Sequence, residues 1–216
     1  MLKVITVTSA PERSKPLTDS LTKFGWNYTL ISVNPWLGFG AKIIETYNYL
    51  KLNPEVDRFI FCDAHDVVAL AGPDEFGRKV RVTDTMILST ERGLWPPTLI
   101  PFRSKYSEFE HGFNYINSGL YYSRAQEFIE LYEKYTPFYE IDDQIWLNLC
   151  FLFLDERNYN IRPDYNQEIF NSHSFIRDGE YEYKKGRAYN TITKSSGVFL
   201  HGNGGGLPQQ VYDLLK

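Results

Sequence analysis

The first 62 residues alternate between short runs of apolar, often β-branched residues and stretches in which apolar residues recur at helical spacing. Segments 2–8, 28–33 and 58–62 have the first pattern, which is typical of buried strands. The segment that ends at Gly25 and the segment 41–52 have the second. Strand, helix, strand, helix and strand in this order predict a βαβαβ unit with parallel strands and right-handed connections.

The pattern becomes less regular after residue 62. Residues 91–112 include Pro96, Pro97 and Pro101 and form a loop longer than most connections in a compact domain. Loops of this length often act as lids. The remaining predicted elements are a short helix after Gly72, strands at 85–89 and 116–122, helices at 124–134 and 142–153, and short strands that end with one at 198–200.

Composition favours one folded domain. The chain has 216 residues, 43% of them hydrophobic and 23% charged, which suits a single α/β domain over residues 1–216. We expect a mostly parallel, Rossmann-like central sheet flanked by helices. The formal net charge of −4 disfavours broad electrostatic contact with nucleic acid and leaves room only for a local basic patch.

The cellular location is predicted from the cysteines and the apolar segments. Cys62 and Cys150 lie in apolar settings and are expected to be buried free thiols, which favours a reducing compartment. The apolar run at the N-terminus is shorter than a signal peptide needs, and no segment has the length of a membrane span. We therefore expect a cytoplasmic or otherwise intracellular protein, and a viral or bacterial source fits this expectation.

A candidate metal site follows the third predicted strand. The segment FIFCDAHDVV at 59–68 continues from an apolar strand into Asp63 and Asp66. In open parallel sheets, ligands bind beyond the carboxyl ends of the strands. Two carboxylates at this spacing can hold Mg²⁺ or Mn²⁺, and the ion can hold a diphosphate. The alternative is that Asp63 caps a turn and Asp66 forms a surface ion pair.

Two further segments carry groups with related chemistry. The segment LHGNGGG at 200–206 places His201 and a glycine-rich turn after a strand, where the imidazole can ligate a metal and backbone amides can approach a phosphate. A flexible turn with an incidental histidine is the alternative. Asp142 and Asp143 open a predicted helix, where at least one can serve only as a helix cap. The other can orient an acceptor hydroxyl.

Taken in order, these motifs resemble the glycosyltransferase domain of the procollagen lysyl hydroxylases and of related viral and collagen glycosyltransferases. The resemblance covers most of the chain and implies a GT-A fold. It also implies a donor-binding half at about residues 1–90 and an acceptor side with its lid at about 91–216. The segments that carry it are GFGAK at 38–42, FCDAHDV at 61–67, LWP at 94–96, YINSG at 115–119, DDQ at 142–144 and HGNG at 201–204.

The resemblance implies a UDP-sugar-dependent hexosyltransferase that uses Mn²⁺, with Mg²⁺ as the alternative ion. Asn117, Asp142 and Asp143 are implied to face the sugar and the acceptor, with one aspartate as base or charge stabiliser. Trp95 is implied to lie on a lid that excludes water. By the same resemblance, the metal ligands are Asp63, Asp66 and His201, and the donor contacts are Lys42, Gly202, Asn203 and Gly204.

Two ring side chains are further candidates for the donor pocket. Trp36 lies just before the glycine-containing segment and is a candidate aromatic wall of the pocket, with a core role as the alternative. His65 stands between the two aspartates, where the family usually has an aromatic residue thought to pack on uracil. An imidazole can also stack, and this departure leaves room for weaker packing or for another base.

By the same resemblance, the transferred sugar is expected to be glucose or galactose, and the acceptor hydroxylysine or galactosyl-hydroxylysine. Two alternatives stay open: transfer to a hydroxymethylated nucleobase in DNA, which needs base flipping, and a non-catalytic domain that binds nucleotide sugars. The joint presence of Asp63, Asp66 and His201 favours catalysis. A two-metal phosphoesterase is disfavoured because the chain has only 4 histidines.

Overall fold

The computed structural model describes residues 1–153, 160–203, 206–207 and 209–215. The strands are β1 (Leu2–Thr8), β2 (Tyr28–Ser32), β3 (Arg58–Cys62), β4 (Val67–Ala69), β5 (Met86–Glu91), β6 (Tyr115–Arg124), β7 (Ile161–Pro163), β8 (Phe170–Ser172), β9 (Tyr181–Lys184), β10 (Arg187–Asn190) and β11 (Phe199–His201). The helices are α1 (Lys15–Lys23), α2 (Gly40–Leu52), α3 (Pro73–Lys79), α4 (Ala125–Lys134), α5 (Asp143–Phe153) and α6 (Gln209–Leu215), with 3-10 segments at Pro11–Ser14 and Pro97–Lys105.

A six-stranded sheet in the order β2-β1-β3-β6-β5-β7 forms the centre of the fold. Strand β1 pairs in parallel with β2 and β3, and β7 pairs in parallel with β5. Strand β6 runs antiparallel to both of its neighbours, β3 and β5. The order β2-β1-β3 is the arrangement that a βαβαβ unit produces. The predicted α/β class with a mostly parallel central sheet is therefore confirmed.

Successive side chains of the central strands pack on opposite faces of the sheet, because the side-chain direction alternates along a strand. Ile5 and Phe61 pack on the face covered by α2, α4 and α5. Val4 and Ile60 pack on the other face, where α1 contributes Leu21. The sheet thus has a core on each face, and its strand ends are left free to carry polar groups.

A second sheet has three strands in the order β4-β11-β8. Its strand β4 is the next strand along the chain after β3. Strand β11 pairs antiparallel with β4, and His201 stands opposite Val67 in this register. The backbone amide of Gly202 donates to the carbonyl of Asp66 at 2.7 Å. This pairing brings the end of β11 next to the Asp66 position, although the two are far apart in sequence.

The observed elements go beyond the predicted ones, and strand β4 is one of the additions. The segment predicted as a loop at 91–112 contains the 3-10 segment Pro97–Lys105. Helix α6 is not predicted from the sequence, because its seven residues contribute little apolar periodicity. Of its residues whose side chains are described, Val211 is buried.

Both cysteines are buried free thiols, as predicted. Burial raises the pKa of Cys150 to about 12, so this thiol stays protonated at neutral pH. Among the described residues, no helix combines the length and the apolar character that crossing a membrane requires.

An ion pair fastens α3 to the hairpin formed by β9 and β10. Glu75 of α3 accepts two hydrogen bonds from the guanidinium of Arg187, at 2.6 and 2.8 Å, and lies 2.9 Å from the ammonium of Lys79. The hydrogen bonds from Arg187, assisted by Lys79, lower the pKa of Glu75 to about 2. This side chain is only 23% exposed, so solvent screens the pair less than a typical surface pair.

We predict that Glu75→Gln lowers the free energy of unfolding at pH 7 by about 1–3 kcal/mol. Because the pKa of Glu75 is lower in the folded protein, its ionised carboxylate stabilises the fold fully at pH values above the ordinary pKa of 4.5. This contribution is lost as the pH falls toward 2. Denaturant unfolding at pH 7, 4.5 and 2.5 measures this loss. The gap between wild type and variant should narrow on acidification.

Asp19→Asn is the matched control, because Asp19 pairs with Lys15 but is 60% exposed. It should change the free energy of unfolding by at most about 0.5 kcal/mol. A gap between wild type and Glu75→Gln that stays constant from pH 7 to 2.5 would contradict the assignment.

Candidate active site

Three side chains with metal-ligating chemistry meet beyond the strand ends. Asp63 follows β3, Asp66 precedes β4, and His201 ends β11. His201 Nε2 lies 3.3 Å from Asp66 Oδ1 and 3.8 Å from Asp63 Oδ2. One ligand atom from each side chain lies within 4.8 Å of the other two. Carboxylates suit Mg²⁺ and Mn²⁺, and the added imidazole favours the transition metal of the two.

Asn117 fixes the orientation of the His201 ring. Its Oδ1 accepts a hydrogen bond from the amide of Gly119 at 2.9 Å and lies 3.1 Å from His201 Nδ1. This pairing assigns the proton to Nδ1 and turns Nε2 toward the carboxylates, the orientation that a metal-ligating histidine needs. Burial by itself lowers the pKa of His201, but Asp66 and Asp63 raise it above the ordinary value. The cluster therefore attracts a positive charge, whether a proton or a cation.

A glycine on β6 makes room for this cluster. Asp63 donates its backbone amide to the carbonyl of Gly119 at 2.8 Å, so the two residues face each other across the strand pair. A Cβ at Gly119 would overlap Cε1 of His201 and lie 2.8 Å from Asp63 Oδ2. The pairing of β5 with β6 also shifts here, from Leu88 opposite Tyr121 to Ser89 opposite Asn117. Such an irregularity re-aims a strand locally, which is common next to active sites.

Lys42 bridges two carboxylates of the site. Its ammonium lies 2.6 Å from Asp63 Oδ1 and 3.2 Å from Asp143 Oδ2. Burial opposes the charge on Lys42, but Asp143 and Asp63 outweigh it and raise the pKa above the ordinary value. Lys42 therefore stays protonated and separates two acids that would otherwise repel each other.

The adjacent acids Asp142 and Asp143 have different surroundings. Asp142 Oδ1 accepts hydrogen bonds from the amides of Gln144 and Ile145, at 2.9 and 3.1 Å, so Asp142 caps the start of α5. Asp143 is 7% exposed and turns toward Lys42. Burial raises the pKa of Asp143, with Lys42 acting in the opposite direction. Asp142 is therefore the member of the pair that caps the helix, as predicted for at least one of the two.

A buried carboxylate, Glu91, ties the site together. It is 5% exposed, and its two oxygens accept hydrogen bonds from the side-chain amides of Asn117, Gln144 and Asn203. The three distances are 3.0, 2.9 and 2.7 Å. Gln144 also donates to the carbonyl of Trp95 at 2.7 Å. Glu91 thereby connects β5, β6, α5 and the turn after β11.

Two cavities open on either side of the Asp63 and Asp66 carboxylates. One, the Trp95 cavity, has a volume of about 500 Å³ and contains Trp95, Glu91 and Asp143 in its lining. The other, the Trp36 cavity, has a volume of about 560 Å³. Both are lined by Phe39, Lys42, Asp63 and Asp66. Asp63 and Asp66 therefore border both of these ligand-sized spaces, whereas His201 lines the Trp95 cavity.

The remaining predicted site residues lie around these cavities. Trp36 and His65 line the Trp36 cavity, and His65 Nε2 lies 2.8 Å from the hydroxyl of Thr8. Gly202 contributes its amide to Asp66, whereas Asn203 lines the Trp95 cavity. Trp95 is 60% exposed at the rim of that cavity. Gly204 lies outside the described residues.

Several residues of the site are not predicted from the sequence. Glu91 is the last residue of β5, and Asp63 directly follows the last residue of β3. The signal that singles out Asp63, an acid at the carboxyl end of a strand, therefore applies to Glu91 as well. Gly119 and Gln144 lie inside segments singled out above, but nothing local indicates that one supplies space and the other amide hydrogen bonds. Phe175 lines the Trp95 cavity without any sequence signal.

Comparison with known families gives a match over most of the chain. The family described as "PLOD GT domain" matches residues 24–210. "Uncharacterized protein R699" of Acanthamoeba polyphaga mimivirus is 28% identical over 170 residues, which cover 77% of this chain and 36% of that protein. "Multifunctional procollagen lysine hydroxylase and glycosyltransferase" of Caenorhabditis elegans is 27% identical over 227 residues, 94% of this chain and 30% of that protein.

"Procollagen-lysine,2-oxoglutarate 5-dioxygenase 2" of Mus musculus is 28% identical over 150 residues, 67% of this chain and 20% of that protein. The chain thus spans 36% or less of the length of these relatives. Among solved structures, "a glycosyltransferase involved in the glycosylation of the major capsid of PBCV-1" superposes with a TM-score of 0.55 at 8% identity, over 99% of this chain and 98% of that one. The "WbbM bifunctional glycosytransferase" gives 0.53 at 12% identity, over 100% of this chain and 49% of that one. The expected GT-A fold is confirmed.

We predict that Gly119→Ala separates His201 from Asp63, because the added methyl group occupies the space where the imidazole approaches the carboxylate. The affinity for Mn²⁺, measured by calorimetry or by electron paramagnetic resonance, should fall at least about tenfold. Gly77→Ala is the matched control, because nothing lies within 4 Å of a Cβ at that helical position. It should leave the Mn²⁺ affinity unchanged and stabilise the fold by about 0.5–1 kcal/mol. Equal Mn²⁺ affinity of Gly119→Ala and wild type would contradict the role of Gly119.

Proposed function

Because the chain belongs to the family of PLOD glycosyltransferase domains, we propose that it transfers a hexose from a UDP-sugar to an acceptor hydroxyl. The proposed reaction uses a divalent cation, in the first place Mn²⁺, which Asp63, Asp66 and His201 would hold. The observation that carries the proposal is that Asp63 and Asp66 line both cavities, with His201 beside them. Beside these residues, Lys42 adds a positive charge for a diphosphate. When bound, the cation neutralises the charge that develops on the departing diphosphate.

The Trp36 cavity is assigned to the nucleoside and diphosphate of the donor. Trp36 and His65 offer ring faces to a base, and the hydrogen bond to Thr8 holds the His65 ring in place. Arg13 lines the same cavity and adds a positive charge for a phosphate. Lys42 reaches both cavities and supplies a second permanent charge at their junction.

The Trp95 cavity is assigned to the sugar and the acceptor. Asp143 is the acid of the adjacent pair that is free to act on the acceptor, because Asp142 is engaged as a helix cap. Burial raises the pKa of Asp143, which makes its carboxylate a stronger base toward an acceptor hydroxyl. Asn117 acts as a positioning residue, since its side chain holds His201 and contacts Glu91.

Trp95 is assigned to a lid over the Trp95 cavity. Its backbone carbonyl is held by Gln144, whereas its indole is 60% exposed. The base of the lid is thus anchored to α5, and the ring is free to cover a bound sugar. Closure of this kind excludes water, which would otherwise intercept the activated sugar.

The finer substrate assignment follows the relatives. The name of the Caenorhabditis elegans relative joins procollagen lysine hydroxylase with glycosyltransferase, which supports hydroxylysine or galactosyl-hydroxylysine as the acceptor. Glucose or galactose is proposed as the sugar from the resemblance to the family. We also propose the division into a donor half at about 1–90 and an acceptor side at about 91–216, with the turn after β11 returning to the donor side. The intracellular location is likewise a proposal, supported by the two free thiols.

We predict that the protein releases UDP from UDP-glucose or UDP-galactose in the presence of Mn²⁺, and that Asp63→Ala and His201→Ala lower this rate about 100-fold or more by removing a metal ligand. Mn²⁺ binding, followed by electron paramagnetic resonance without substrate, should weaken in both variants. The exposed Asp19→Asn variant should match wild type in both measurements. Wild-type protein that binds Mn²⁺ and the UDP-sugar without turnover would overturn the transferase assignment in favour of a binding domain.

A separate prediction concerns the base. Asp143→Asn should keep the affinities for Mn²⁺ and UDP within about threefold of wild type and lower kcat for acceptor transfer by about 10²–10⁴-fold, because a proton acceptor is lost. Steady-state kinetics with 5-hydroxylysine as acceptor and isothermal titration with UDP make the comparison. An unchanged kcat would assign the base elsewhere.

A further inference from the structure

Phe175 combines an exposed ring with an uncommon backbone conformation. Its side chain is 75% exposed, and its φ of 53° lies in the left-handed region, where a bulky residue is rare. A conformation of this kind costs on the order of 1–3 kcal/mol and persists only where the surrounding structure holds it. An exposed aromatic ring gives no burial in return, so the cost calls for another explanation.

A half-buried ion pair holds the Phe175 backbone. Arg92 Nη1 donates to the carbonyl of Phe175 at 3.2 Å and to Glu180 Oε2 at 2.6 Å. The side chains of Arg92 and Glu180 are only 15% and 12% exposed. The Arg92 Nε also donates to the carbonyl of His111 at 2.9 Å, and the guanidinium lies 4.6 Å from the ring centre of Phe113. The support of Phe175 is therefore rigid, although its ring faces solvent.

Gly93 supplies the space on which the ring rests. A Cβ at this position would lie 2.5 Å from Cε2 and 3.2 Å from Cδ2 of Phe175. The ring therefore lies directly against the backbone of residue 93. Both residues line the Trp95 cavity together with Asp143, and neither lines the Trp36 cavity.

We propose that Phe175 is a platform for a pyranose ring of the acceptor, an inference that rests on the proposed transferase function. The Trp95 cavity has acids within it and the exposed rings of Phe39, Trp95 and Phe175 around it. A pyranose offers hydroxyl groups at its edge and apolar C–H groups on its face, which match an acidic interior and an aromatic rim. An amino-acid side chain without a ring has no such face. Phe175 thereby selects a glycosylated acceptor over an unglycosylated one.

The test compares two probes, methyl β-galactoside and 5-hydroxylysine, and three variants: Phe175→Ala, Phe175→Trp and Phe153→Ala. Phe153 is 51% exposed at the end of α5 and serves as the control for loss of an exposed ring. With Mn²⁺ and UDP-sugar, Phe175→Ala should raise KM for methyl β-galactoside about tenfold and leave KM for 5-hydroxylysine unchanged. Its KM for the UDP-sugar and its rate of UDP-sugar hydrolysis without acceptor should stay at the wild-type values. Phe175→Trp and Phe153→Ala should retain the wild-type KM.

A double-mutant cycle gives a second measurement. Gly93→Ala pushes the ring of Phe175 off its position and should also raise KM for methyl β-galactoside, whereas adding Gly93→Ala to Phe175→Ala should cause no further loss. Additive effects would overturn the platform, as would an unchanged KM in Phe175→Ala. A wild-type protein that hydrolyses UDP-sugar but neither binds nor glycosylates methyl β-galactoside would overturn the platform and leave the transferase function standing. Failure of the wild type to bind Mn²⁺ and to hydrolyse UDP-sugar would instead overturn the proposed function.

Discussion

The site depends on keeping four acids, two of them buried and two half-buried, within one small volume. Asp63, Asp66, Asp143 and Glu91 all line the Trp95 cavity, and like charges at this separation repel strongly where water is partly excluded. Lys42 separates Asp63 from Asp143, and His201 stands between Asp63 and Asp66. Glu91 has amide donors in place of a cation. Positive charge is favoured beside Asp63 and Asp66, since these carboxylates raise the pKa of His201 above its ordinary value.

The groups that balance these acids come from distant parts of the chain, which explains the mixed sheet. Parallel strands β1 and β3 place their carboxyl ends at one edge, where Asp63 emerges. Strand β6 runs the other way and brings Asn117 and Gly119 to the same edge at its beginning. The small sheet then returns His201 beside Asp66. An antiparallel strand at this position is thus what lets one edge of the sheet carry both the acids and the amide that orients the imidazole.

The sequence predicts those parts of the fold and site that depend on local pattern. β1 and β3 coincide with the predicted runs, and α2 begins one residue before its predicted start, since periodicity and strand-end acids are local signals. The grouping of Asp63, Asp66 and His201 is implied by the resemblance to the family, although their distances need the β4-β11 register. Gly119 and Phe175 escape prediction for a common reason. Their importance lies in contacts with residues far away in sequence, which no local pattern encodes.

The contrast between Asp142 and Asp143 shows how helix geometry separates the roles of neighbouring residues. A residue at the cap of a helix turns its side chain back onto the first free amides, as Asp142 does with Gln144 and Ile145. The next residue is already in the helix, where its side chain projects about 100° around the axis from its neighbour's direction. Asp143 therefore leaves the amides and meets Lys42. Two identical side chains thus divide into one that caps α5 and one that pairs with Lys42.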